Sequence, residues 1–365
     1  MKEPTVLRLL QPLTFFNTRR TREIFNVNPT SAPIRAEANK VDIHVFDFNS
    51  QTLEEKNFLT VEDCFHYRDN QHVTWINIDG IRKADVEAIC NHYNIHYLIA
   101  EDILSIGQRP KMDEIDGVLF CLLNMLYFNE QTGSVETEQI SIVLAKNVVI
   151  SFQEIPQKDV FGMLREKLKL SNSRIRLNGA DYCCYALLDM IVDHYFVVME
   201  KLSNRIELIE ERIIRRSDKR SLAEINNLRK ELFVLKGNVS PVRELINGFI
   251  RSESDLLEEK TTKYFKDVHD HIVQANDVAE NLRDLMMNLQ DLYISQVNLK
   301  MNEVMKVMAI VTCVLTPATV IGGIFGMNFD VIPFSHHPNG FYYTVLSMVV
   351  IMAGFLVYFG RKRWL

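Results

Sequence analysis

The residues whose chemistry stands out are acids and amides spaced along one long, unbroken stretch in the last third of the chain. Asp270, Asp277, Asp284 and Asp291 recur every seven residues, which keeps them near one face of a helix with a drift of about 20° per repeat. Asn302 follows about three turns beyond Asp291, and Asn328 lies in the segment Ile324-Phe325-Gly326-Met327-Asn328-Phe329. Oxygen-bearing side chains in such a row hold hard cations, as ionised carboxylates or as neutral amide dipoles. Two readings stay open: the row is the wet back of a coiled coil, or, where several copies surround an axis, it is the wall of a cation pathway.

These side chains need an element long enough to carry them. No proline lies between Pro241 and Pro317 and no glycine between Gly248 and Gly322, so one helix from near Ser252 runs on for about 70 residues, roughly 100 Å at 1.5 Å per residue. Such a stalk needs packing partners along its length. Its far end is apolar: 23 consecutive uncharged residues separate Lys306 from Asp330, and no formal charge intervenes between Asp330 and Arg361. Two membrane spans fit there, Val307 to about Phe325 and about Phe341 to Gly360. Lys306 precedes the first and Arg361-Lys362-Arg363 follows the second, while the loop between has no Lys or Arg. Positive flanks stay inside, so both termini are expected in the cytoplasm and the loop outside. Within the first span Thr312, Thr316 and Thr319 bring hydroxyls, and Gly322-Gly323 allows close helix packing. Met305 and Met308 form either a constriction that gates by dewetting or an ordinary packing surface.

Upstream, 41–156 mixes short strands and helices. Val41 to Phe46 alternates with period two, Thr74 to Ile78 ends in the turn signal Asp79-Gly80, and Gly117 to Phe128 and Gln139 to Phe152 are longer β-rich runs joined by a hairpin connection from Glu130 to Thr137. Helical patterns fall at Arg82 to Tyr93 and Ile95 to Leu104, which predicts an α/β domain with helices on its sheet. In 157–250 helices are expected over Lys158 to Leu170, Gly179 to Arg216 and Ser221 to about Gly248. The segments are then a loosely ordered arm at 1–40, the α/β domain at 41–156, cytoplasmic helices at 157–250, the stalk and first span at 251–325, an outer loop at 326–340, the second span at 341–360 and a basic tail at 361–365.

Composition excludes several classes. Net charge is −6 with no basic stripe interleaved with aromatics, which speaks against nucleic acid. The six cysteines show no Cys-x-x-Cys spacing and suit buried positions in a reducing compartment. There is no His-Glu-x-x-His, no glycine-rich phosphate loop and no Gly-x-Ser-x-Gly, so neither nucleotide-driven pumping nor hydrolysis has machinery, and no enzymatic activity is expected. His92 and His96, four apart, and His269 and His271, flanking Asp270, are the histidine pairs a transition metal would use; residues two apart do not share a helix face, and solvated surface histidines are the default.

Gly326-Met327-Asn328 immediately after one span, a short loop, a second span and the tail Arg361-Lys362-Arg363-Trp364-Leu365 together resemble the CorA family of divalent-cation channels, the magnesium transporters. Glu101-Asp102-Ile103-Leu104 with Gln108-Arg109-Pro110-Lys111, Glu138-Gln139 with Ser141, Tyr264 to Val268 with Asp270-His271, and Asn302 to Val307 extend the likeness over about Val41 to Leu365. The resemblance implies a funnel-shaped homopentamer, with an α/β cytoplasmic domain, long stalk helices lining the pore and two C-terminal transmembrane helices, in the inner (plasma) membrane. Two departures accompany it: Phe325 stands where the family often has Tyr, and Ile332-Pro333-Phe334-Ser335 where bacterial members often have Met-Pro-Glu-Leu, leaving Asp330 as the loop's only carboxylate.

The same resemblance implies site roles. Gly326, Met327 and Asn328 form the selectivity mouth, with Asp291, Asn302, Met305, Met308, Thr316 and Thr319 lining the pore. Cytoplasmic magnesium held between subunits by Asp102 and Asp267, with Glu101 and Asp189 as secondary contributors, keeps the channel closed. Magnesium gives up water reluctantly, so five Asn328 amides would hydrogen-bond to its hydration shell rather than strip it. Magnesium is thus both cargo and regulator, and lipid, divalent ions and like subunits are the partners, with no nucleotide. Zinc transport, as in the related ZntB branch, or cobalt or nickel transport is the alternative within the superfamily; a membrane-anchored scaffold or sensor is the alternative outside it.

Overall fold

Short β-branched and aromatic runs pair into a seven-stranded sheet in the computed structural model, which describes residues 37–68, 71–155, 158, 160–215, 218–327, 332, 337–362 and 364. The strands are β1 (Asp42–Phe48), β2 (Leu53–Phe58), β3 (Val73–Asp79), β4 (Lys111–Ile115), β5 (Val118–Asn129), β6 (Ser134–Ala145) and β7 (Val148–Gln153), in the order β2-β1-β3-β7-β6-β5-β4. All neighbours are antiparallel except β3 and β7, where Thr74 faces Val148 and Asp79 faces Gln153 in parallel register. A parallel pair needs a crossover. Here it runs through α1 (Lys83–His92), α2 (Tyr97–Leu104) and the β4-β5-β6 meander.

The two faces of the sheet are covered differently. Val45, Ile76, Ile78, Phe120, Val143 and Ile150 share a buried core with Ile89 of α1 and Ile99 and Ile103 of α2. On the opposite face Trp75 stands edge-on to Phe161, with ring centroids 5.8 Å apart, and its Nε1 donates to Ser151 Oγ. β5 carries VLFCLLNML with both faces buried, as a central strand requires.

The remaining helices are α3 (Gly162–Lys169), α4 (Arg174–Leu177), α5 (Ala180–Arg215), α6 (Lys219–Arg251), α7 (Glu259–Phe325) and α8 (Gly340–Arg361). The chain divides into two compact units, Met1–Leu208 with Glu224–Met287, and Ile209–Ala223 with Asn288–Leu365. In the first unit α5 and α6 cover the second face of the sheet. The Tyr195 hydroxyl donates to Asn124 O at 2.7 Å, and Asn124 Nδ2 donates to Asn238 Oδ1 at 2.7 Å. In the second unit α7 and α8 meet along an apolar cleft lined by Val307, Ile310, Val311, Val314, Leu315 and Leu356.

Several expected bounds shift, each for a local reason. β6 begins at Ser134 rather than Gln139, so the hairpin spans only Glu130 to Gly133. Gly133 sits at φ +64, and a Cβ there would lie 1.1 Å from the Arg205 guanidinium. The run from Gln139 to Phe152 is two strands, because Lys146-Asn147 makes a tight turn with Asn147 at φ 58, a conformation asparagine tolerates. The polar β2 and β4 were not expected: both are edge strands, where charge discourages further pairing. The stalk helix begins at Glu259 rather than near Ser252, since the Glu258 carbonyl accepts from Thr261 N and Thr262 N and opens the helix.

Among the described residues three helices are long and apolar enough to cross a membrane: α5, α7 and α8. The apolar window of α5 is 67% buried against its own fold, whereas those of α7 and α8 are 11% and 6% buried. Only the latter two leave an apolar surface for lipid or for other helices. Cys64, Cys90, Cys121, Cys183 and Cys184 are buried and Cys313 is exposed, all as free thiols. Burial pushes the Cys64 and Cys90 thiols up to about 12, which makes them inert at neutral pH.

Candidate metal and pore sites

The motif stretches in the α/β domain converge in space. Asp102 closes α2 with its Oδ2 2.6 Å from Lys111 Nζ and its Oδ1 accepting from Gln108 Nε2 at 2.7 Å. Gln139, on β6, donates from Nε2 to the carbonyls of Asp102 and Ile103 at 3.3 and 3.4 Å. Asp102, Gln108, Lys111 and Gln139 therefore make one hydrogen-bonded corner that pins the end of α2 to the sheet. Burial alone would lower the Lys111 ammonium, but its hydrogen bonds and charge contacts with Asp102 and Asp113 together hold its pKa above the usual value. Glu101, beside Asp102, is exposed.

A second carboxylate region lies where α5 meets the start of α7. Asp181 fixes the two helices: buried, it accepts from Tyr182 N at 2.8 Å and from Glu258 N at 3.0 Å. Aromatic packing extends the contact, with Tyr185 5.2 Å from Tyr264 and 6.1 Å from Phe265, itself stacked on Phe249 at 4.8 Å. One turn along α5, Asp189 and Asp193 point at His271 of α7: His271 Nδ1 is 3.8 Å from Asp189 Oδ1 and 3.7 Å from Asp193 Oδ1. Tyr185 OH reaches Asp189 Oδ2 at 3.4 Å. Burial and then the neighbouring charge of Asp193 raise the Asp189 carboxyl above its ordinary range, while His271 opposes the shift. Beside the group opens a cleft of about 460 Å³ whose wall includes Tyr185, Asp189, Asp193, His194, Lys167 and Arg174.

Of the four expected regulatory residues, Asp189 alone joins a three-ligand group within one chain, with Asp193 and His271; among the described residues this is the group that brings three metal-ligating side chains together. Asp102 is engaged with Lys111, and Asp267 lies exposed on α7. Asp193 and the role of His271 were not legible by spacing, because the partners sit on different helices far apart in sequence. The His92 and His96 pair is otherwise employed: His92 Nε2 contacts Phe65 O at 2.9 Å, and His96 Nδ1 accepts from Leu98 N.

The residues expected to line a pore, from Asp291 to Thr319, sit on the long helix. Phe265, Val268, Ile272, Ala275, Ala279, Leu282 and Met286 form the buried stripe of α7. At 100° per residue, Asp277 and Asp284 fall on the opposite side, and both are exposed. Asp291, Asn302, Met305, Met308, Thr316 and Thr319 are exposed as well. The hydroxyls of Thr312, Thr316 and Thr319 donate to the carbonyls of Met308, Thr312 and Leu315, four residues back. With their protons spent on the backbone, these threonines offer lone pairs outward. At the helix end Gly326 N donates to the carbonyls of Gly322 and Gly323, and Met327 N to Ile324 O. Asn328 and Asp330 lie outside the described residues.

Comparison with known proteins places the chain in a family. The family model for the CorA-like Mg2+ transporter protein matches residues 70–363. The cobalt/magnesium transport protein CorA of Thermotoga maritima is 37% identical over 325 residues, covering 89% of this chain and 92% of the relative. The putative metal ion transporter YfjQ of Bacillus subtilis is 28% identical over 290 residues, covering 80% of this chain and 89% of the relative. Among solved structures, the complete CorA magnesium transporter of Methanocaldococcus jannaschii matches with a TM-score of 0.72 at 20% identity, over 88% of this chain and 98% of that one. With its family match spanning most of the sequence and a relative 37% identical along most of both chains, the chain belongs to the CorA family.

Proposed function

We propose that the chain is a passive magnesium channel that works as a homopentamer in the inner (plasma) membrane, with both termini in the cytoplasm. The observation that carries this reading is the exposed acid-to-amide row on one unbroken 67-residue helix: Asp277 and Asp284 lie opposite its buried stripe, and the row continues through Asp291 to Asn302 and into an apolar end. An anchor helix has no use for that row, whereas five copies around an axis make it a cation path. Residues 41–156 and 157–250 form the cytoplasmic portion, 251–325 the stalk and first span, 326–340 the outer loop, and 341–360 the second span, with 361–365 as the basic tail and 1–40 as an arm. Gly326, Met327 and Asn328 make the mouth, whose neutral oxygens hold the hydrated ion loosely enough to release it. Asp291, Asn302, Met305, Met308, Thr316 and Thr319 line the path. At 100 mV a divalent cation gains about 4.6 kcal/mol on entry, so no nucleotide is needed.

Intracellular magnesium closes the channel by bridging carboxylates of neighbouring subunits, Asp102 and Asp267 first, with Glu101 and Asp189 contributing. Exposed Asp267 and Glu101 are accessible to such a bridge, and for Asp102 the incoming ion displaces Lys111. Like charges across a subunit boundary repel until a cation intervenes, so closure follows internal concentration.

The test is flux into liposomes loaded with a magnesium-sensitive dye. The wild-type protein admits magnesium, and Asn328→Ala abolishes or broadens the flux; an unchanged rate and selectivity in that variant defeats the pore assignment.

A further inference from the structure

The cleft between α7 and α8 is apolar inside and basic at one end, and we propose that it holds an acyl chain of one anionic phospholipid whose phosphate is bound by Lys306, Arg361 and Lys362. The two helices run antiparallel. Met348 of α8 stands against Gly322 of α7, its Cε 4.0 Å from where a Cβ of that glycine would lie. Toward the other end a space of about 260 Å³ opens between them. Val307, Ile310, Val311, Val314 and Leu315 line it from α7 and Leu356 from α8, with no polar side chain among them.

Charge favours a lipid over a further helix. Lys306 directly precedes Val307, and Arg361 and Lys362 follow Leu356 within two turns. All three cations therefore sit within about 10 Å of helix rise of the cleft, at the same end. Arg361 and Lys362 are exposed. Lys362 Nζ lies 5.6 Å from the centre of the Tyr358 ring, and Trp364 folds back to stack on Phe359 with centroids 5.8 Å apart. Tyrosine and tryptophan beside basic residues mark the headgroup level of a bilayer, so the apolar space begins where the headgroups end. A neighbouring apolar helix would fill the cleft but offers nothing to its basic end; an anionic phospholipid matches both.

Depth and direction agree, the second resting on the channel reading. From Val307 to Leu315 α7 rises about 12 Å at 1.5 Å per residue, within the roughly 15 Å of hydrocarbon in one leaflet. That is the depth of a chain entering from the side of the basic residues. At 100° per residue the cleft residues of α7 centre about 150° round the helix from Asn302, Met305, Met308, Thr316 and Thr319. With that face turned to a central axis, the cleft opens outward to the bilayer.

The lipid also has mechanical work to do. Gly340 and Phe359 are the buried residues of α8 among those described. In a membrane, helix association depends on packing rather than on a hydrophobic drive. A hydrocarbon chain touching Val311 and Leu356 together supplies dispersion contacts to both helices and holds α8 on α7.

The experiment uses full-length protein in detergent, washed free of native lipid and offered phosphatidylglycerol or phosphatidylcholine of identical acyl chains, with native mass spectrometry counting the lipid retained. One phosphatidylglycerol per chain is expected, held about a hundredfold more tightly than phosphatidylcholine, as three basic groups near an anionic surface provide. Its retention falls as salt rises. Arg361→Gln with Lys362→Gln weakens phosphatidylglycerol about thirtyfold, the share of two such groups, and leaves phosphatidylcholine unchanged. Val311→Trp fills the cleft and lowers retention of both lipids, whereas Val350→Trp, about 120° round α8 from Leu356, changes neither. Far-UV circular dichroism equal to that of wild type shows that the variants fold. Equal retention of the two lipids by wild type, an unaltered count in Val311→Trp, or displacement of phosphatidylglycerol by inorganic phosphate overturns the site. Dissociation of Val311→Trp into single chains gives the cleft to a neighbouring copy and overturns it as well. Binding is read without flux, so a protein that holds the lipid but passes no magnesium keeps this site and removes the channel reading.

Discussion

Asp102 and Asp189 are both half-buried carboxylates in the first compact unit, yet they are treated in opposite ways. Asp102 has both oxygens satisfied inside the chain, by Lys111 Nζ at 2.6 Å and Gln108 Nε2 at 2.7 Å. Asp189 faces a second acid and a histidine at distances beyond hydrogen bonding, and its Oδ1 has no hydrogen-bond partner among the described residues. A carboxylate with a built-in ammonium yields to a metal only by exchange, so it responds weakly and at high ion concentration. Asp189 instead has a single long hydrogen bond, accepted at Oδ2 from Tyr185 OH at 3.4 Å, and no ammonium beside it. The two carboxylates therefore sit in different electrostatic states, one neutralised within the chain and one facing a second acid.

The strongest way to break this contrast is to remove the built-in cation. Lys111→Met leaves Asp102 with its charge and only the Gln108 amide. Loss of a part-buried charged hydrogen bond costs about 1–3 kcal/mol, so the detergent-solubilised variant should unfold at a lower temperature than wild type. Adding Asp102→Asn should recover most of the loss, because the orphaned charge rather than the missing amine is what destabilises. Magnesium should stabilise Lys111→Met more than it does wild type. If Lys111→Met melts like wild type with and without magnesium, the two acids are not in different electrostatic states.

A smaller effect tests the other side through pH. Asp189 faces Asp193, His271 and Tyr185, with the charge of Asp267 also acting on it, and burial keeps its carboxyl protonated to a higher pH than usual. In metal-free protein, once pH passes the ordinary aspartate value of about 3.9, the unfolded chain releases this proton while the folded chain retains it. Fewer protons are bound in the unfolded state, so the free energy of unfolding falls as pH rises to the elevated folded value, and is level above it. The penalty is absent below both values. Asp189→Asn should lack that fall and be more stable than wild type near neutral pH by an amount of order 1 kcal/mol; parallel pH profiles for the two proteins would count against the contrast.

How far these regions could be read from sequence follows from how local their causes are. The central strands were visible because Val, Ile and Phe crowd β3, β5 and β7, and the stalk because no glycine or proline interrupts the chain from Ser252 to Leu315. The edge strand Leu53–Phe58 was invisible, since Glu54, Glu55 and Lys56 give it no buried face. The Lys146-Asn147 turn vanished inside one apolar run because it spends only two residues. At the sites, Asp102 and Lys111 stood in adjoining motif stretches, but their pairing depends on how α2 ends against β4. His271 was weighed against His269 and His92 against His96 because spacing compares only neighbours on one helix. Its partners Asp189 and Asp193 came within reach only when α5 packed on α7 through Tyr185, Tyr264 and Phe265.

The smallest expected effect concerns which acid Lys111 serves. Asp113 also lies 3.2 Å from Lys111 Nζ, but its side chain is 40% exposed against 18% for Asp102. Water screens the outer pair, and exposed pairs contribute about 0.2–1 kcal/mol at most. Asp113→Asn should therefore shift unfolding by less than about 0.5 kcal/mol and leave the magnesium response of the protein unchanged. A shift as large as that of Lys111→Met would mean that the ammonium is held mainly from the solvent side. Asp102 would then be nearly as open to a metal as Asp189, and the contrast between the two carboxylates would collapse.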